Sequence, residues 1–208
     1  MTYQSFSGDI RGSSNSSTKF QGLKLDHDLI KNKTCLDLGC NEGYFCFKLV
    51  EHGAKEVIGV DMNLTTINKA NTRLKKSNTT SNISFKQVNW SEIDKVFETS
   101  KFDLILHLSA FHYATQPNNF NQDGTNKLLN KIKDLLVEGG CLIWEGGRID
   151  TNSKGWIKIN RGHDIVYHAT KTALEELFTK TFTKFVCVGP SVSQQGDPVP
   201  RFVYHCFK

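Results

Sequence analysis

The residues best suited to chemistry lie in one glycine-rich stretch, the sequence D-L-G-C-N-E-G at positions 37–43. It follows an apolar run and precedes an amphipathic one, which predicts a tight turn between a strand and a helix. Gly39 and Gly43 permit unusual backbone angles and leave room for a ligand against the main chain, and Asn41 tolerates positive φ. Taken alone, the stretch would also fit an ordinary strand-to-helix turn.

An acidic residue further along favours a nucleoside site. Asp61 ends a second apolar run, about twenty residues after the glycines, where dinucleotide-type folds place the acid that binds ribose hydroxyls. A helix N-cap is the alternative role for Asp61. A nicotinamide site needs G-x-G-x-x-G, but its second and third glycines would fall at Asn41 and Tyr44, and no P-loop lysine follows. These departures favour a cofactor without phosphates.

A second group of reactive side chains lies in two long segments after the fourth and fifth predicted strands, residues 109–123 and 146–169. We expect acceptor-binding residues there because ligands bind at the carboxyl ends of parallel strands. His112 and His163 are the candidate catalytic bases, with packing, surface or turn roles as the alternatives. The candidate substrate-binding residues are Arg11, Tyr113, Glu145, Arg148, Trp156, Arg161 and Arg201.

Several of these residues have more than one interpretation. The arginines together favour an anionic acceptor, although each alone fits an ordinary surface role. Glu145 could hold a substrate amine or hydroxyl, or simply pair with an arginine. Trp156 could stack on the acceptor or pack in the core. No metal site is predicted, because the six cysteines lack C-x-x-C spacing and the fourth strand ends without acidic ligands.

Short apolar runs that alternate with amphipathic stretches must position these residues. The apolar runs predict parallel strands at residues 34–38, 56–60, 83–88, 102–108 and 141–145. Helices are predicted at residues 44–52, 64–76, 91–97 and 124–136. Two further strands, 182–188 and 199–207, are joined by a segment too short for a crossover helix, so this pair should be antiparallel.

Length and composition bound the remaining possibilities. The 208 residues fit a mobile N-terminal arm or lid, residues 1–20, and a single folded domain, residues 21–208. The net charge of +5 permits an anionic partner without requiring one. No signal peptide or membrane span is predicted, and the cysteines in apolar runs fit a reducing compartment, so we expect a cytoplasmic protein.

The stretch at positions 37–43 resembles the first motif of class I S-adenosylmethionine-dependent methyltransferases, [DE]-x-G-x-G-x-G, with Asn41 replacing the middle glycine. The resemblance implies S-adenosyl-L-methionine as the cofactor. It also implies an α/β fold with a doubly wound, Rossmann-like, seven-stranded sheet that is mostly parallel, has an antiparallel last strand and has the strand order 3-2-1-4-5-7-6. The cofactor-binding residues that it implies are Lys19, Gln21, Asp37, Gly39, Cys40, Asn41, Gly43, Tyr44, Asp61, Met62, Asn89, Trp90, His107 and Leu108.

The resemblance also implies how these residues divide the cofactor. The turn would contact the methionine end and the ribose, Met62 would pack beside the adenine, and Asn89 and Trp90 would meet its amino group and ring. His107 and Leu108 would lie near the methionine.

Two shorter patterns resemble the tRNA uridine-modifying methyltransferases and related sugar-pathway enzymes. They are residues 19–23 and the Phe-His-Tyr sequence at 111–113. This resemblance implies that Lys19 and Gln21 close over the cofactor.

Three functions follow from these observations. The leading one is O-methylation of a small anionic or sugar-type metabolite, such as a surface-glycan or phosphorylated precursor, because no nucleic-acid module accompanies the two acceptor segments. Methylation of tRNA or an RNA end is the alternative, supported by the second resemblance and the positive charge. A non-catalytic cofactor-binding module is the third. The expected partner is a small-molecule acceptor, with RNA less favoured and neither a membrane nor DNA expected.

Overall fold

The computed structural model describes residues 16–77, 82–111, 122–151, 153–160, 165–191 and 199–208. The helices are α1 (Ser16–Gly22), α2 (His27–Ile30), α3 (Tyr44–Glu51), α4 (Leu64–Lys76), α5 (Ile93–Val96), α6 (Gln122–Leu135) and α7 (Lys171–Thr181). The strands are β1 (Thr34–Leu38), β2 (Glu56–Asp61), β3 (Ile83–Gln87), β4 (Phe102–Leu108), β5 (Leu136–Ile149), β6 (Trp156–Asn160), β7 (Ile165–Thr170), β8 (Lys184–Pro190) and β9 (Arg201–Phe207).

The strands form one doubly wound sheet. Strands β3, β2, β1, β4 and β5 are neighbours in that order and are all parallel. Strand β9 pairs antiparallel with β5, and β8 pairs antiparallel with β9. The predicted α/β fold with an antiparallel final pair is therefore confirmed. The predicted order 3-2-1-4-5-7-6 holds only for these seven strands, with β8 and β9 counted as the sixth and seventh.

The strand count was wrong, because the described residues contain nine strands. Strands β6 and β7 form an antiparallel hairpin within the segment expected to be a loop, and β7 pairs with the end of β5 at Arg148 and Ile149. Strand β5 is also longer than predicted at both ends. From Ile157 onward the sequence I-K-I-N of β6 alternates apolar and polar residues, which is the pattern of a strand with one exposed face.

Two buried clusters cover the faces of the sheet. Alternate side chains along a strand point to opposite faces, so Ile105 lies in one cluster and Leu104 in the other. Helices α2, α3 and α4 contribute to the cluster that contains Leu104. Helices α5, α6 and α7 contribute to the cluster that contains Ile105. No helix within the described residues is long and apolar enough to cross a lipid bilayer.

The N-terminal arm is described only in part. Residues 16–20, which were assigned to the arm, form the first part of helix α1. Residues 1–15 lie outside the described residues. Helix α1 leads to Leu23, which is fully buried and whose carbonyl oxygen lies 2.8 Å from His205 Nε2.

The register of the parallel strands brings their carboxyl ends to one edge. Leu38 pairs with Val60 of β2 and with His107 of β4, and Leu108 pairs with Glu145 of β5. The turns that follow β1, β2 and β4 therefore meet Glu145 at the same edge, where open parallel sheets bind ligands.

Candidate cofactor and acceptor site

The turn after β1 has the backbone that the sequence predicted. Gly39, Asn41 and Gly43 have φ values of 84°, 52° and 88°. The Gly39 and Cys40 amides donate hydrogen bonds of 2.8 and 2.9 Å to the carbonyl oxygen of Val60. A non-glycine residue at positive φ is uncommon and Asn tolerates it best, which explains the departure from glycine at position 41.

The two glycines of the turn differ in what surrounds them. A Cβ atom added to Gly43 would lie 2.5 Å from Phe85 Cζ, so helix α3 begins in close contact with β3. A Cβ added to Gly39 would lie 3.2 Å from Ala110 Cβ and 3.8 Å from Trp90 Cζ2. Gly43 is thus required by packing, whereas Gly39 borders the space beside Trp90.

Asp61, the last residue of β2, is hydrogen-bonded to the turn after β1. Its Oδ2 accepts a 3.0 Å hydrogen bond from the Asn41 amide, and its Oδ1 accepts a 2.9 Å hydrogen bond from the Asn63 amide. The Asp61 side chain is only partly buried, and a carboxylate has further lone pairs on both oxygens. Asp61 can therefore also accept hydrogen bonds from ribose hydroxyls.

Apolar side chains lie exposed next to Asp61. Met62 and Leu64 are 56% and 52% exposed, and Trp90 is half-buried. The Asn89 side chain is already engaged, because its Oδ1 accepts hydrogen bonds from the amide and hydroxyl of Ser91 at 3.0 and 2.9 Å. An apolar surface beside a hydroxyl-binding carboxylate fits a nucleoside whose base packs against the protein.

Asp37 is a buried acid below the turn. Burial raises its pKa to about 7, and the negative charge of Asp61 contributes to that rise. The Cys46 thiol has the opposite effect, because it donates a 3.5 Å hydrogen bond to Asp37 Oδ2. Cys40 and Tyr44 are buried in the same cluster as Leu108. The Asp37 carboxyl therefore titrates near neutral pH and can balance a positively charged group of a bound molecule.

A second polar group lies at the ends of β4 and β5. Lys19 Nζ lies 3.0 Å from Glu145 Oε2 and donates a 2.6 Å hydrogen bond to Ser109 Oγ. The Ser109 hydroxyl in turn donates a 2.6 Å hydrogen bond to Glu145 Oε2. Ser109 has φ of 56°, a conformation that is disfavoured for a residue with a Cβ and that is often found at functional sites.

The Glu145 carboxylate is fully buried and charged. Burial alone would raise its pKa, but the charges of Lys19 and Arg201 and the hydrogen bond from Ser109 hold the pKa below its usual range. Arg201 Nη1 lies 3.9 Å from Oε2. Among the residues that the structure describes, none donates a hydrogen bond to Glu145 Oε1.

His107 is buried between aromatic rings. Its ring meets Trp90 and Phe111 edge to face, with centroids 5.2 and 5.8 Å apart. Burial lowers its pKa to about 4, so the imidazole is neutral at physiological pH. The geometry makes His107 a support for Trp90, and contact with the methionine of a cofactor stays a prediction.

The other predicted substrate residues are placed differently. Arg148 is buried, and its guanidinium lies 3.3 Å from the Phe202 ring centroid, 2.7 Å from Asp150 Oδ1 and within hydrogen-bonding distance of Tyr204. These contacts give Arg148 a packing role. Trp156 is half-buried and stacks on Phe111 with centroids 6.1 Å apart.

The remaining predicted residues are either exposed or outside the part of the chain that the structure describes. Gln21 is exposed. Arg11, His112, Tyr113, Arg161 and His163 lie outside the described residues. No three His, Cys, Asp or Glu side chains in the described part of the chain come together as a metal site would require.

Two residues of this candidate site were not predicted from the sequence. Ser109 was noted only as the start of an acceptor segment, and its contacts depend on two elements distant in sequence. Glu42 was treated as a variable position of the motif, yet it is 2% exposed and paired with two cations. A charged residue inside an otherwise small or apolar turn is the signal that would have identified it.

The parallel sheet with its antiparallel last strand, the turn after β1 and the acid after β2 define the fold and site of class I S-adenosylmethionine-dependent methyltransferases. Comparison with known families agrees. Residues 29–188 match the model of a methyltransferase domain family, and the chain belongs to that family. The cofactor of these enzymes is S-adenosylmethionine, which carries no phosphate and fits the residues described above.

Two curated relatives match part of the chain. The tRNA U34 carboxymethyltransferase of Campylobacter fetus is 31% identical over 125 residues, which cover 59% of this chain and 39% of that protein. The O-antigen chain terminator bifunctional methyltransferase/kinase WbdD of Escherichia coli is 30% identical over 100 residues, which cover 48% of this chain and 14% of that protein. The chain thus spans less than half the length of these relatives.

Solved structures share the fold. A crystal structure of WbdD aligns with a TM-score of 0.65 at 20% identity, covering 96% of this chain and 41% of that one. The N-methyltransferase NodS of Bradyrhizobium japonicum, in complex with S-adenosylhomocysteine, aligns with a TM-score of 0.65 at 17% identity, covering 98% and 91%.

Proposed function

We propose that the chain transfers a methyl group from S-adenosylmethionine to a hydroxyl of a small anionic or sugar-type metabolite, such as a phosphorylated or surface-glycan precursor. The observation that carries this proposal is that, among the described residues, only one of the two Glu145 carboxylate oxygens has polar partners. Lys19, Ser109 and Arg201 all approach Oε2. Oε1 receives no hydrogen bond from a described residue, and a buried charged oxygen without a donor is costly. A donor on a bound acceptor would remove that cost.

Glu145 has the properties that a methyl acceptor site needs. The cofactor, when bound, supplies a methyl group that its sulfonium already activates. Glu145 Oε1 would accept the hydrogen bond of the acceptor hydroxyl, orient the oxygen and stabilise the positive charge that develops on it. The released proton would be held at the same oxygen. A carboxylate with a lowered pKa remains charged for this role at neutral pH.

Two buried cations support an anionic acceptor. Lys19 and Arg201 have side chains only 12% and 7% exposed, and both lie beside the Glu145 carboxylate. A phosphate or carboxylate near the reacting hydroxyl would be attracted to them. The similarity to WbdD, whose name refers to an O-antigen chain, agrees with a sugar-type acceptor. Base roles for His112 and His163 and acceptor contacts for Arg11, Tyr113 and Arg161 remain predictions.

Methylation of RNA is the second candidate. The similarity to a tRNA U34 carboxymethyltransferase favours it, as does the net charge of +5. An RNA enzyme should bind through several phosphate contacts, so its affinity should fall steeply as salt increases.

A methyl-transfer screen distinguishes these functions. Release of S-adenosylhomocysteine would be measured with phosphorylated sugars, nucleotide sugars and bulk tRNA at low and raised salt. We expect release with a phosphorylated or nucleotide sugar and none with RNA. Salt-sensitive release with tRNA alone would replace the proposal with the RNA function. A chain that binds S-adenosylhomocysteine but methylates nothing would favour a non-catalytic module.

A further inference from the structure

Glu42 is a buried carboxylate within the cofactor turn. It is 2% exposed and lies between Asn41 and Gly43, which both have positive φ. The turn also holds the Glu42 backbone, because the Glu42 amide donates a 2.8 Å hydrogen bond to Asn41 Oδ1. A buried charge of this kind persists only where it is paired and hydrogen-bonded.

Helix α4 supplies a cation for each oxygen of this carboxylate. Lys69 Nζ lies 3.1 Å from Glu42 Oε1, and Arg73 Nη2 lies 2.9 Å from Glu42 Oε2. Lys69 and Arg73 are four residues apart on α4 and therefore share one face of the helix. The carboxylate thus connects the turn after β1 to the middle of α4.

The same helix is connected to the turn at its beginning. Asn63 caps α4 by accepting a 2.9 Å hydrogen bond from the Thr65 amide, and its own amide binds Asp61 Oδ1. Asp61 Oδ2 in turn accepts the hydrogen bond from the Asn41 amide. The turn and α4 are therefore joined twice, through Asp61 at the helix start and through Glu42 about one and a half to two and a half turns later.

We propose that Glu42 is a positioning residue for cofactor binding, which acts by holding the turn after β1 and the loop after β2 in their binding arrangement. Asn41 has a positive φ, which Asn tolerates better than other residues with a Cβ but does not prefer, so neighbouring contacts help to hold it there. The ion pairs of Glu42 provide that support on one side, and Asp61 provides it on the other. This role of Glu42 concerns the cofactor alone and does not depend on which acceptor is methylated.

The test compares Glu42, a buried carboxylate in the turn, with Glu51, an exposed carboxylate on the helix that follows. Glu42→Gln removes the charge within the turn, and Glu51→Gln removes that of an exposed residue of α3 that pairs with Lys48. Binding of S-adenosylhomocysteine would be measured by calorimetry, and hydrogen exchange of the Asn41 amide by NMR without cofactor. We expect Glu42→Gln to raise the Kd about tenfold, which is about 1.4 kcal/mol, and to speed exchange. Glu51→Gln should change neither.

A double-mutant cycle separates positioning from general stability. Arg73→Met should raise the Kd at least about threefold, and the double variant should lose less affinity than the product of the single effects. If Glu42→Gln does not fold, the proposal is tested with Arg73→Met and Lys69→Met instead. Each of these variants should raise the Kd at least about threefold. A folded Glu42→Gln, or both α4 variants, with the wild-type Kd would overturn the proposal, even if the melting temperature fell.

Discussion

Lys19 Nζ lies 3.0 Å from Glu145 Oε2, so an ion pair joins the first described helix to strand β5. Ser109 bridges the same two side chains. The pair lies at the edge of the sheet where the cofactor turn and Asp61 also lie. Helix α1 thereby contributes a side chain to the candidate site, and the acceptor chemistry that we propose depends on how the Glu145 carboxylate is held.

Replacement of Glu145 by Gln tests its role toward the acceptor. Glu145→Gln keeps the shape of the side chain but removes the charge that would stabilise the acceptor oxygen. We expect turnover with the identified acceptor to fall about 10²-fold, with little change in the Kd of S-adenosylhomocysteine. Glu138→Gln is the matched control, because Glu138 lies on the same strand and is 87% exposed. Full activity in Glu145→Gln would contradict the proposed role.

Removal of Lys19 tests the buried ion pair. Lys19→Met would leave the Glu145 charge buried without its nearest cation, so we expect a loss of about 3 kcal/mol in the free energy of unfolding. Combining it with Glu145→Gln should recover part of that loss, because no carboxylate charge would then remain unpaired. Urea unfolding of the two single variants and the double variant measures both effects. Strictly additive losses would show that the two residues are not coupled.

The raised pKa of Asp37 predicts a pH dependence of cofactor binding. Its carboxyl titrates near pH 7 because it is buried, and a positively charged cofactor favours the ionised form. Affinity for S-adenosylmethionine should therefore rise as the pH increases through 7, with release of a proton. Calorimetry in buffers of different ionisation enthalpy measures that proton.

Asp37→Asn is the control for this dependence. The variant should bind with an affinity that is flat across the same pH range. It should also be more stable than the wild type at neutral pH if it folds alike. An acid whose pKa is raised by folding loses stability as the pH rises from about 4, where it ionises in the unfolded chain, to about 7. The same pH dependence of binding in Asp37→Asn would assign it to another group.

The parts of the site that depend on local sequence were predictable. Gly and Asn at residues 39–43 indicate positive φ, and the structure has it at Gly39, Asn41 and Gly43. An acid at the end of the second strand indicates a residue beside the turn, and Asp61 accepts a hydrogen bond from the Asn41 amide. The antiparallel final pair followed from the length of its connection. Strands β6 and β7 were missed because a short amphipathic hairpin between longer elements has a weak pattern.

The parts that depend on long-range contacts were not predictable. Nothing in the sequence near Lys19 indicates that its ammonium pairs with Glu145, because that contact exists only once β5 and α1 are folded. The ion pairs of Glu42 also require α4 to lie beside the turn. Arg148 was predicted from the sequence to bind the substrate. In the structure it lies four residues after Trp144 on β5, and its guanidinium donates a hydrogen bond to Tyr204.

A calorimetric titration of S-adenosylhomocysteine into the wild-type chain and Asp61→Ala tests the cofactor site most directly. The wild type should bind one molecule per chain. Asp61→Ala should bind more weakly by about 1–3 kcal/mol, since it loses the acceptor of the ribose hydroxyls and of the Asn41 amide. Absence of binding to the wild type, or equal binding to a folded Asp61→Ala, would contradict a cofactor site formed by Asp61 and the turn after β1.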